Sequence, residues 1–421
     1  MGKRLAVNVT SEIGQLEGVI LHTPGTEVEN MTPKNAERAL YSDILNLSVA
    51  GREYAQFKEV LSKLTNTFEV KDLLADILSN EKIKENLLEK ICRFESRGDV
   101  FEHLLAIPPR ESAEQLIQGV VEKKDTLTKY LNRERYSLRP LHNFFFTRDA
   151  AMSVLDDVLV GRMANDVRER ESFIMEAIFD YHEMFKTRTV NPLSQKDFDP
   201  KTSIEGGDVL VARDDILLIG TGTRTTTQGI DFILEQLIRQ GEKKRHIIVQ
   251  ELPYHPESFI HLDMVFTFLS QSECMVYEPL ILKANKYQTI HIYIEDGKVS
   301  KIEEEENLLK SLKDLGMDLK PILCGGSTDA WTQEREQWHS GANFFAVAPG
   351  KVIGYERNVY TMEEMNKNGY EIIRAKDIIR NKVDVSQYSK FVVSLEGSEL
   401  PRGGGGARCM TMPVRRKPIK W

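Results

Sequence analysis

Apolar runs separated by short polar turns recur along most of the chain, and they predict β-hairpins. Four stretches share this plan, each with two apolar runs around a turn: residues 151–160, 208–219, 262–277 and 343–355. In the last of them Pro349-Gly350 supplies the fixed φ and the positive φ of a tight turn. Helical periodicity follows several hairpins, as in residues 168–185, 226–240 and 362–368, and residues 246–250 predict an additional strand. The repeated unit is therefore strand, strand, helix.

The two ends of the chain predict a fifth unit. Residues 409–414 form one predicted strand, and residues 18–22 form its predicted hairpin partner. Joining them would close the array and remove the edges that a free-standing array leaves exposed. The predicted fold class is α/β, a five-fold pseudo-symmetric α/β propeller. A doubly wound parallel sheet is the alternative, and it is disfavoured because hairpins are local and antiparallel whereas that fold needs helical crossovers.

A helical segment interrupts the hairpins. Between residues 72 and 136 apolar residues recur at spacings of three and four, which predicts packed helices. Pro108-Pro109 predicts the end of one helix, and Ser112 with Gln115 predicts a capping box that starts the next, continuing through Val121. The predicted organisation is an α/β propeller over residues 1–71 and 137–421, with a helical insertion over residues 72–136.

Composition and charge narrow the class of protein. Of 421 residues, 41% are hydrophobic and 29% are charged, which is typical of a globular chain, and the net charge is −8. Nucleic-acid binders usually present a basic face to phosphates, and the basic cluster here is interpreted as solvated surface: Arg415, Arg416, Lys417 and Lys420. The sequence contains no run of about 18 apolar residues and no apolar signal region at its start. We therefore expect a cytoplasmic protein with neither nucleic-acid nor membrane partners.

The four cysteines lie far apart in the chain. They are Cys92, Cys274, Cys324 and Cys409, with no Cys-x-x-Cys pair among them. Neither a disulfide framework nor a structural zinc site is predicted from this spacing. The first three are interpreted as small buried hydrophobes, so a cysteine with a chemical role acts alone.

Polar residues interrupt the apolar pattern at one place in each unit, just before its first strand. They are Arg148-Asp149, Glu205 to Asp208, His261 to Asp263, Gly341 to Asn343, and Cys409. In a ring these equivalent positions meet at the axis, so a thiol, an imidazole and several carboxylates are predicted to line one cavity. A cysteine near a histidine is a nucleophile with an acid–base partner. Placing several carboxylates in one cavity costs free energy unless the ligand brings positive charge. A guanidinium meets this requirement, because it is planar and charged and donates paired hydrogen bonds that carboxylates accept.

Each of these residues also has a purely structural interpretation. Cys409 alone is compatible with a buried core thiol, His261 with a core histidine, and Asp149 with a surface ion pair. His261, Asp263 and His255 form an alternative set of metal ligands. That set is disfavoured because hydrolytic metal sites group three or four ligands closely, whereas His255 lies in a Pro-flanked loop. The combination of a thiol, an imidazole and carboxylates favours a reactive cavity, for which no metal or organic cofactor is predicted.

At these residues the chain resembles the arginine deiminases, members of the guanidine-modifying superfamily, whose fold is a five-fold pseudo-symmetric α/β propeller. The matching segments span nearly the whole chain: residues 11–14, 22–25, 143–149, 204–208, 261–263, 337–343, 354–358 and 409–413. The helical insertion also matches the family and separates it from shorter relatives.

The resemblance implies hydrolysis of free L-arginine to L-citrulline and ammonia through a covalent amidino-cysteine intermediate. It implies one role for each member of the catalytic set: Cys409 as nucleophile, His261 as acid and base, Glu205 as the partner that orients His261, and Asp149 and Asp263 as the carboxylates that hold the guanidinium. The implied substrate contacts are Asn143, Phe146, Arg168 and Arg224, the two arginines facing the α-carboxylate. No metal or cofactor is implied, and family habit implies a homo-oligomer.

One departure from the family pattern lies in the loop before Cys409. The family commonly carries Arg-Gly-Arg-Gly-Gly there, and Gly404 stands where the second arginine, which faces the backbone end of the substrate, is expected. Arg402 and Arg408 are the candidates to compensate. The alternative function is therefore a deiminase or amidinotransferase for a related guanidino compound. A non-catalytic arginine-binding protein and a cysteine peptidase are two further alternatives.

Overall fold

The computed structural model describes residues 4–241 and 243–421. The expectation about the start of the chain rests partly on residues 1–3, which lie outside this range. The strands are β1 (Leu5–Ala6), β2 (Leu16–Leu21), β3 (Asn66–Glu69), β4 (Val120–Val121), β5 (Tyr136–Leu138), β6 (Ala151–Val154), β7 (Asp157–Val160), β8 (Phe185–Lys186), β9 (Arg188–Val190), β10 (Val209–Arg213), β11 (Ile216–Thr221), β12 (Arg245–Glu251), β13 (Phe266–Phe268), β14 (Glu273–Val276), β15 (Thr289–Glu295), β16 (Lys298–Glu305), β17 (Lys320–Leu323), β18 (Phe345–Ala348), β19 (Lys351–Tyr355), β20 (Glu371–Arg374), β21 (Phe391–Leu395) and β22 (Met412–Arg416).

The helices alternate with these strands. They are α1 (Thr26–Glu29), α2 (Pro33–Ala36), α3 (Leu47–Leu64), α4 (Val70–Leu78), α5 (Glu81–Phe94), α6 (Phe101–Ala106), α7 (Pro109–Gln118), α8 (Leu127–Leu131), α9 (Thr147–Ala150), α10 (Glu169–Tyr181), α11 (Thr227–Arg239), α12 (Glu278–Ile281), α13 (Leu308–Asp314), α14 (Ala330–Trp338), α15 (Val359–Lys367) and α16 (Ala375–Ile379). Short 3₁₀ turns lie at Gly98–Val100, Asp166–Arg168, Pro192–Ser194, Glu257–Phe259, Leu262–Met264, Val385–Gln387 and Leu400–Gly403.

Five sheets repeat one arrangement of three strands. In each, two strands pair antiparallel, and the second pairs parallel with a third strand that follows a helix. The five sets are β6-β7-β9, β10-β11-β12, β13-β14-β17, β18-β19-β21 and β22-β2-β3. The four predicted hairpins are confirmed, and so is the pairing of the chain ends, where Ile20 lies opposite Met412. The fold class is mixed α/β.

Helix α11 shows how the local sequence builds one of these units. The Thr226 side chain accepts a hydrogen bond from the Gly229 amide and so caps the first turn. Ile230, Ile233 and Leu237 then recur at spacings of three and four, and they belong to the apolar core that also contains residues of β10 and β11. Each such buried side chain contributes roughly 1.5–3 kcal/mol relative to an exposed one. Helix and hairpin therefore stabilise each other.

The helical segment packs against helix α10. Leu73 and Leu88 share a buried core with Phe173 and Ile178 of that helix, so the segment is joined to the sheets through apolar contacts. The predicted capping box at Ser112 is wrong. Helix α7 begins at Pro109, and Ser112 lies buried inside it. Proline is favoured at the first helical position because its missing N–H would have no partner there and its φ already suits a helix.

The basic C-terminal cluster is not uniformly solvated, which corrects the interpretation from sequence. Arg416 is buried in β22, and its Nη1 donates a 2.7 Å hydrogen bond to the Gly14 carbonyl oxygen. The arginine thus joins the two chain ends. No helix in residues 4–241 and 243–421 is long and apolar enough to cross a membrane.

Candidate active site

The predicted site residues lie where the sequence pattern placed them, ahead of the first strand of each unit. Asp149 lies in α9 before β6, and Glu205 lies in the loop before β10. His261 and Asp263 precede β13, and Cys409 precedes β22. All five are buried, so they meet inside the protein and not on its surface.

Seven of the nine predicted residues line one buried cavity of about 30 Å³, which we call the inner cavity. The seven are Asn143, Phe146, Asp149, Arg168, Arg224, His261 and Cys409, and the wall is completed by Leu40, Ile260, Gly403, Gly404 and Gly405. Glu205 and Asp263 lie behind this wall, in contact with His261 and Cys409 respectively. The structure therefore brings the whole predicted set together.

His261 is held between two carboxylates. Its Nε2 lies 3.0 Å from Glu205 Oε2, and its Nδ1 lies 3.8 Å from Asp149 Oδ1. Gly207 permits this placement, because a Cβ at that position would lie 2.4 Å from His261 Nδ1. Burial acts to lower the pKa of His261, but Asp149 and the hydrogen bond to Glu205 outweigh burial and raise the pKa to about 9. The imidazole is therefore protonated at neutral pH.

We expect the Glu205→Gln substitution to lower the pKa of His261 by at least about one unit, because the substitution removes one charge partner. The pKa of His261 is about 6.5 in the unfolded chain and about 9 in the native protein, so the bound proton stabilises the fold. This contribution is fully present below about pH 6.5 and is lost as pH rises through about 9. An NMR titration of the imidazole measures the shift. Glu273→Gln, which changes a buried carboxylate bonded to Tyr370 and Lys390, is the control and is expected to leave the His261 titration unchanged.

Cys409 lies against Asp263 at the bottom of the inner cavity. Its Sγ is 3.7 Å from Asp263 Oδ2, and the Asn343 side chain links the two segments by accepting from the Cys409 amide and donating to the Asp263 carbonyl. Burial raises the pKa of the Cys409 thiol well above its ordinary value, and Asp263 and Asp149 raise it further. A cation bound between these carboxylates would offset their charge and favour the thiolate.

Each of the two aspartates that flank the thiol is also tied to an arginine. Arg168 Nη1 lies 2.8 Å from Asp149 Oδ2, and Arg408 Nη1 lies 2.8 Å from Asp263 Oδ2. The other oxygen of Asp149, Oδ1, is buried and has no hydrogen-bond partner among the described residues. A buried acceptor of this kind is costly unless a donor reaches it, which makes Asp149 Oδ1 a ready acceptor for a ligand N–H.

A larger cavity of about 410 Å³, which we call the outer cavity, adjoins the inner one. The two share five wall residues: Leu40, Arg224, Ile260, Gly403 and Gly404. Arg402 also lines the outer cavity, where it is paired with Asp43 and Glu399. Arg408 is not available there, which corrects one of the two expectations for the loop, because it is buried against Glu12 and Asp263.

Cys409 and His261 are buried, as a core thiol and a core histidine would be, but both also line the inner cavity. His255 is exposed and lines the outer cavity, apart from His261. Asp149 is buried, so it is not a surface residue. Asp149, Glu205 and His261 do place one ligand atom each within 4.8 Å of one another, as a metal site requires. Arg168 lies among the same carboxylates, however, with Nη1 2.8 Å from Asp149 Oδ2 and 3.8 Å from Glu205 Oε2, and its positive charge opposes a second cation there.

Two acidic residues of the site were not assigned roles from the sequence. Glu171 accepts from Arg168, and Glu12 accepts from Arg408, so each completes the ion pair behind one aspartate. Glu12 lies in the matching segment 11–14, and Glu171 lies three residues after Arg168, one of the implied substrate contacts. The spacing of Arg168 and Glu171, three residues apart, is a signal that could have paired them, because side chains at this spacing are neighbours on a helix. Glu12 and Arg408 lie 396 residues apart, so the fold alone sets that pair.

Comparison with solved structures defines the class of fold. Unliganded AgrE has a TM-score of 0.53 at 14% identity, over 96% of this chain and 40% of that one, so the chain spans about 40% of AgrE. SxtG, an amidinotransferase from Microseira wollei, has a TM-score of 0.52 at 13% identity, over 99% and 98% of the two chains. The N-terminal domain of ArgZ, an arginine dihydrolase from Cyanobacteria, has a TM-score of 0.50 at 13% identity, over 95% and 97%. The chain therefore shares its fold with these three proteins.

The sequence comparisons are more specific. The family described as arginine deiminase (ADI) matches residues 37–416. The arginine deiminase of Bacillus cereus is 33% identical over 432 residues, covering 98% of this chain and 99% of its own. That of Levilactobacillus brevis is 32% identical over 431 residues, with the same coverage. The chain belongs to the arginine deiminase family.

Proposed function

We propose that the protein hydrolyses free L-arginine to L-citrulline and ammonia through a covalent amidino-cysteine intermediate. The observation that carries this proposal is that Cys409, His261 and Asp149 line one buried cavity, with Asp263 in contact with the thiol. Such a cavity combines a nucleophile, an acid–base group and carboxylates for a planar cation. Membership of the arginine deiminase family supports the assignment.

In the first half-reaction the guanidinium lies between Asp149 and Asp263, which accept its N–H groups and hold its plane. Its charge favours loss of the Cys409 thiol proton to solvent, and the thiolate sulfur attacks the central carbon of the guanidinium. A carbon–sulfur bond forms, and a carbon–nitrogen bond then breaks. His261, protonated at neutral pH, gives its proton to the departing nitrogen, which leaves as ammonia.

In the second half-reaction neutral His261 removes a proton from water. The resulting hydroxide attacks the same carbon, and the carbon–sulfur bond then breaks. The remaining O–H proton passes to the departing sulfur, which restores the Cys409 thiol, and citrulline leaves. Glu205 keeps the imidazole oriented through both steps, in the way a third group orients the base of other nucleophile–base sets. Both steps use groups of this chain and water.

The remaining site residues are proposed to contact the substrate. Asn143 and Phe146 line the inner cavity beside Asp149, where the guanidinium and the alkyl chain would lie. Arg224 faces both cavities and is proposed to bind the α-carboxylate. Arg168 is proposed to assist, although its nitrogens already bond to Asp149 and Glu171, so one of these bonds must be exchanged on binding.

A direct assay tests the proposed function. Purified protein is incubated with L-arginine, agmatine or a methylated arginine, with and without an amine acceptor, and citrulline and ammonia are measured. We expect equal amounts of citrulline and ammonia from arginine, independent of the acceptor. Transfer of the amidino group to the amine would indicate an amidinotransferase. Heat of binding without ammonia release would indicate a non-catalytic arginine-binding protein.

The loop at Gly404 favours a second candidate, a deiminase for a related guanidino compound. Gly404 has φ of +85° and lies between the two cavities, and a Cβ there would have no heavy atom within 4 Å. The position that faces the backbone end of the substrate therefore carries no side chain. An ordinary low KM for L-arginine in the native protein would remove this candidate.

We expect Gly404→Arg to raise the ratio of kcat/KM for arginine over agmatine by about ten-fold, because an added guanidinium can pair with the α-carboxylate that agmatine lacks. Steady-state kinetics with both substrates measure the ratio. Gly404→Ala is the matched control, since it carries the same strain at positive φ without the charge. If both variants change the ratio equally, the charge at residue 404 is not what selects the substrate.

We further propose that the five three-stranded sets close into a five-fold propeller with residues 72–136 inserted. The common strand pattern of the five sheets and the pairing of β22 with β2 support this closure. Assembly into a homo-oligomer and a cytoplasmic location stay predictions, and light scattering of the purified protein tests the first.

A further inference from the structure

Arg408, the residue before the proposed nucleophile, has every guanidinium nitrogen bonded. Nε and Nη2 lie 3.0 and 3.1 Å from the two oxygens of Glu12, and Nη2 also donates to the Val209 carbonyl at 2.9 Å. Nη1 lies 2.8 Å from Asp263 Oδ2. Arg408, Glu12 and Asp263 are all buried. One planar group thus joins the N-terminal segment, the second sheet and the cysteine loop.

The opposite side of the inner cavity repeats this arrangement. Arg168 donates from Nε and Nη2 to Glu171, at 3.2 and 2.8 Å, and from Nη1 to Asp149 Oδ2 at 2.8 Å. In both cases a glutamate accepts from one edge of the guanidinium, and a single remaining nitrogen reaches the aspartate. Two unrelated stretches of chain hold the two aspartates in the same way.

In each arrangement the glutamate limits how many hydrogen bonds the arginine can donate to the aspartate. A guanidinium free to turn would pair both of its terminal nitrogens with one carboxylate, as arginine and carboxylate groups commonly do. Glu12 occupies the Nε–Nη2 edge of Arg408, so only Nη1 bonds Asp263, through Oδ2. Among the described residues no N–H group donates to Asp263 Oδ1, which lies 3.9 Å from Cys409 Sγ. Asp263 lies behind the cavity wall, and Oδ1, beside the sulfur that lines the inner cavity, is the oxygen left for a ligand donor.

The negative charge of Glu12 also limits how strongly Arg408 attracts Asp263. Burial acts to raise the pKa of Glu12, but Arg408, Arg148 and Arg416 outweigh burial and lower it to about 2. Glu12 is therefore ionised at neutral pH, and its negative charge offsets the positive charge of Arg408. Without that negative charge the full positive charge of Arg408 would act on Asp263 in a buried, weakly screened setting.

We infer that Glu12 and Arg408 are positioning residues for Asp263, and that Glu12 restrains Arg408 so that one oxygen of Asp263 stays free to bind the guanidinium of the substrate. This inference rests on the proposed function, since it concerns how the substrate cation is held. It adds two residues that act through Asp263 without contacting the reacting atoms.

The test is steady-state kinetics of Glu12→Gln on L-arginine. The variant keeps the shape of the side chain but loses its charge, so Arg408 binds Asp263 more tightly and competes with the substrate. We expect KM to rise about ten-fold while kcat stays within about three-fold, because an interaction made equally in ground and transition states changes KM alone. The melting temperature is measured in parallel.

Glu273→Gln is the matched control, because Glu273 is a buried carboxylate that accepts from Tyr370 and Lys390 and lines neither cavity. It is expected to lower the melting temperature without changing KM. If Glu12→Gln is also without effect on KM, to within about two-fold, a purely structural role is indicated and the inference is wrong.

A second variant covers the case in which Glu12→Gln does not fold. Glu12→Asp keeps the charge but withdraws the carboxylate by one methylene, and it is expected to raise KM by about three-fold. An unchanged KM in Glu12→Asp, with a lowered melting temperature, overturns the inference. These outcomes are distinct from failure of the proposed function, in which the native protein releases no ammonia from arginine.

Discussion

Replacing Cys409 by alanine is expected to lower kcat for ammonia release from arginine by at least about 10⁴-fold. The reason is that both proposed half-reactions pass through a bond to Cys409 Sγ, and no other thiol lines the inner cavity. Ammonia release under saturating arginine measures the effect. Mass spectrometry of the native protein, quenched during turnover, is expected to show an adduct on Cys409 with the mass of arginine less ammonia.

Cys92→Ala is the control for this substitution. Cys92 is also buried, but it lies in helix α5 within an apolar core, so its loss removes a few packing contacts only. We expect the activity of this variant to stay within about two-fold of the native protein. Normal ammonia release from Cys409→Ala would rule out the covalent scheme.

Replacing His261 by alanine is expected to impair both half-reactions, with a loss of at least about 10³-fold in each. His261 is the proposed acid for the leaving nitrogen and the proposed base for water, and Glu205 and Asp149 raise its pKa to about 9 so that it starts protonated. Rapid quenching measures formation of the adduct. Clearance is measured separately, starting from a thiouronium formed beforehand on Cys409.

His246→Asn serves as the control. His246 is buried and hydrogen-bonded to His291 in the second sheet, outside both cavities, and its loss is expected to change kcat by no more than about two-fold. If His261→Ala cleared the preformed thiouronium at the native rate, another group would have to be the base. A defect in formation alone would limit His261 to the role of acid.

Apart from the strands at the two chain ends and at residues 246–250, the strands that the sequence predicted are those whose pairing is local. Each hairpin joins neighbours in the chain through a short turn, such as Pro349-Gly350, and the turn residues carry the signal. The parallel third strands were mostly not predicted. Strand β3 (Asn66–Glu69) is short and largely polar, and it pairs with β2 across the whole of helix α3, so its position depends on the helix and not on its own residues.

The error at Ser112 has a similar origin. Serine followed three residues later by glutamine matches a capping box, but the preceding Pro109 already suits the first helical position, and the buried face of α7 includes Ser112. Two local signals competed, and packing of the helix against its neighbours selected one. Such competition is expected wherever both signals are worth about 1 kcal/mol.

The sequence by itself predicted the groups that are proposed to carry the chemistry: a cysteine, a histidine and several carboxylates, each ahead of a strand, within motifs of one family. Only the tertiary structure decided how these groups pair. Arg408 bonds Glu12 across 396 residues of chain, and Arg168 bonds Asp149, where an α-carboxylate contact was expected. A guanidinium can donate to any carboxylate, so the partners of an arginine follow from which acids the fold buries beside it.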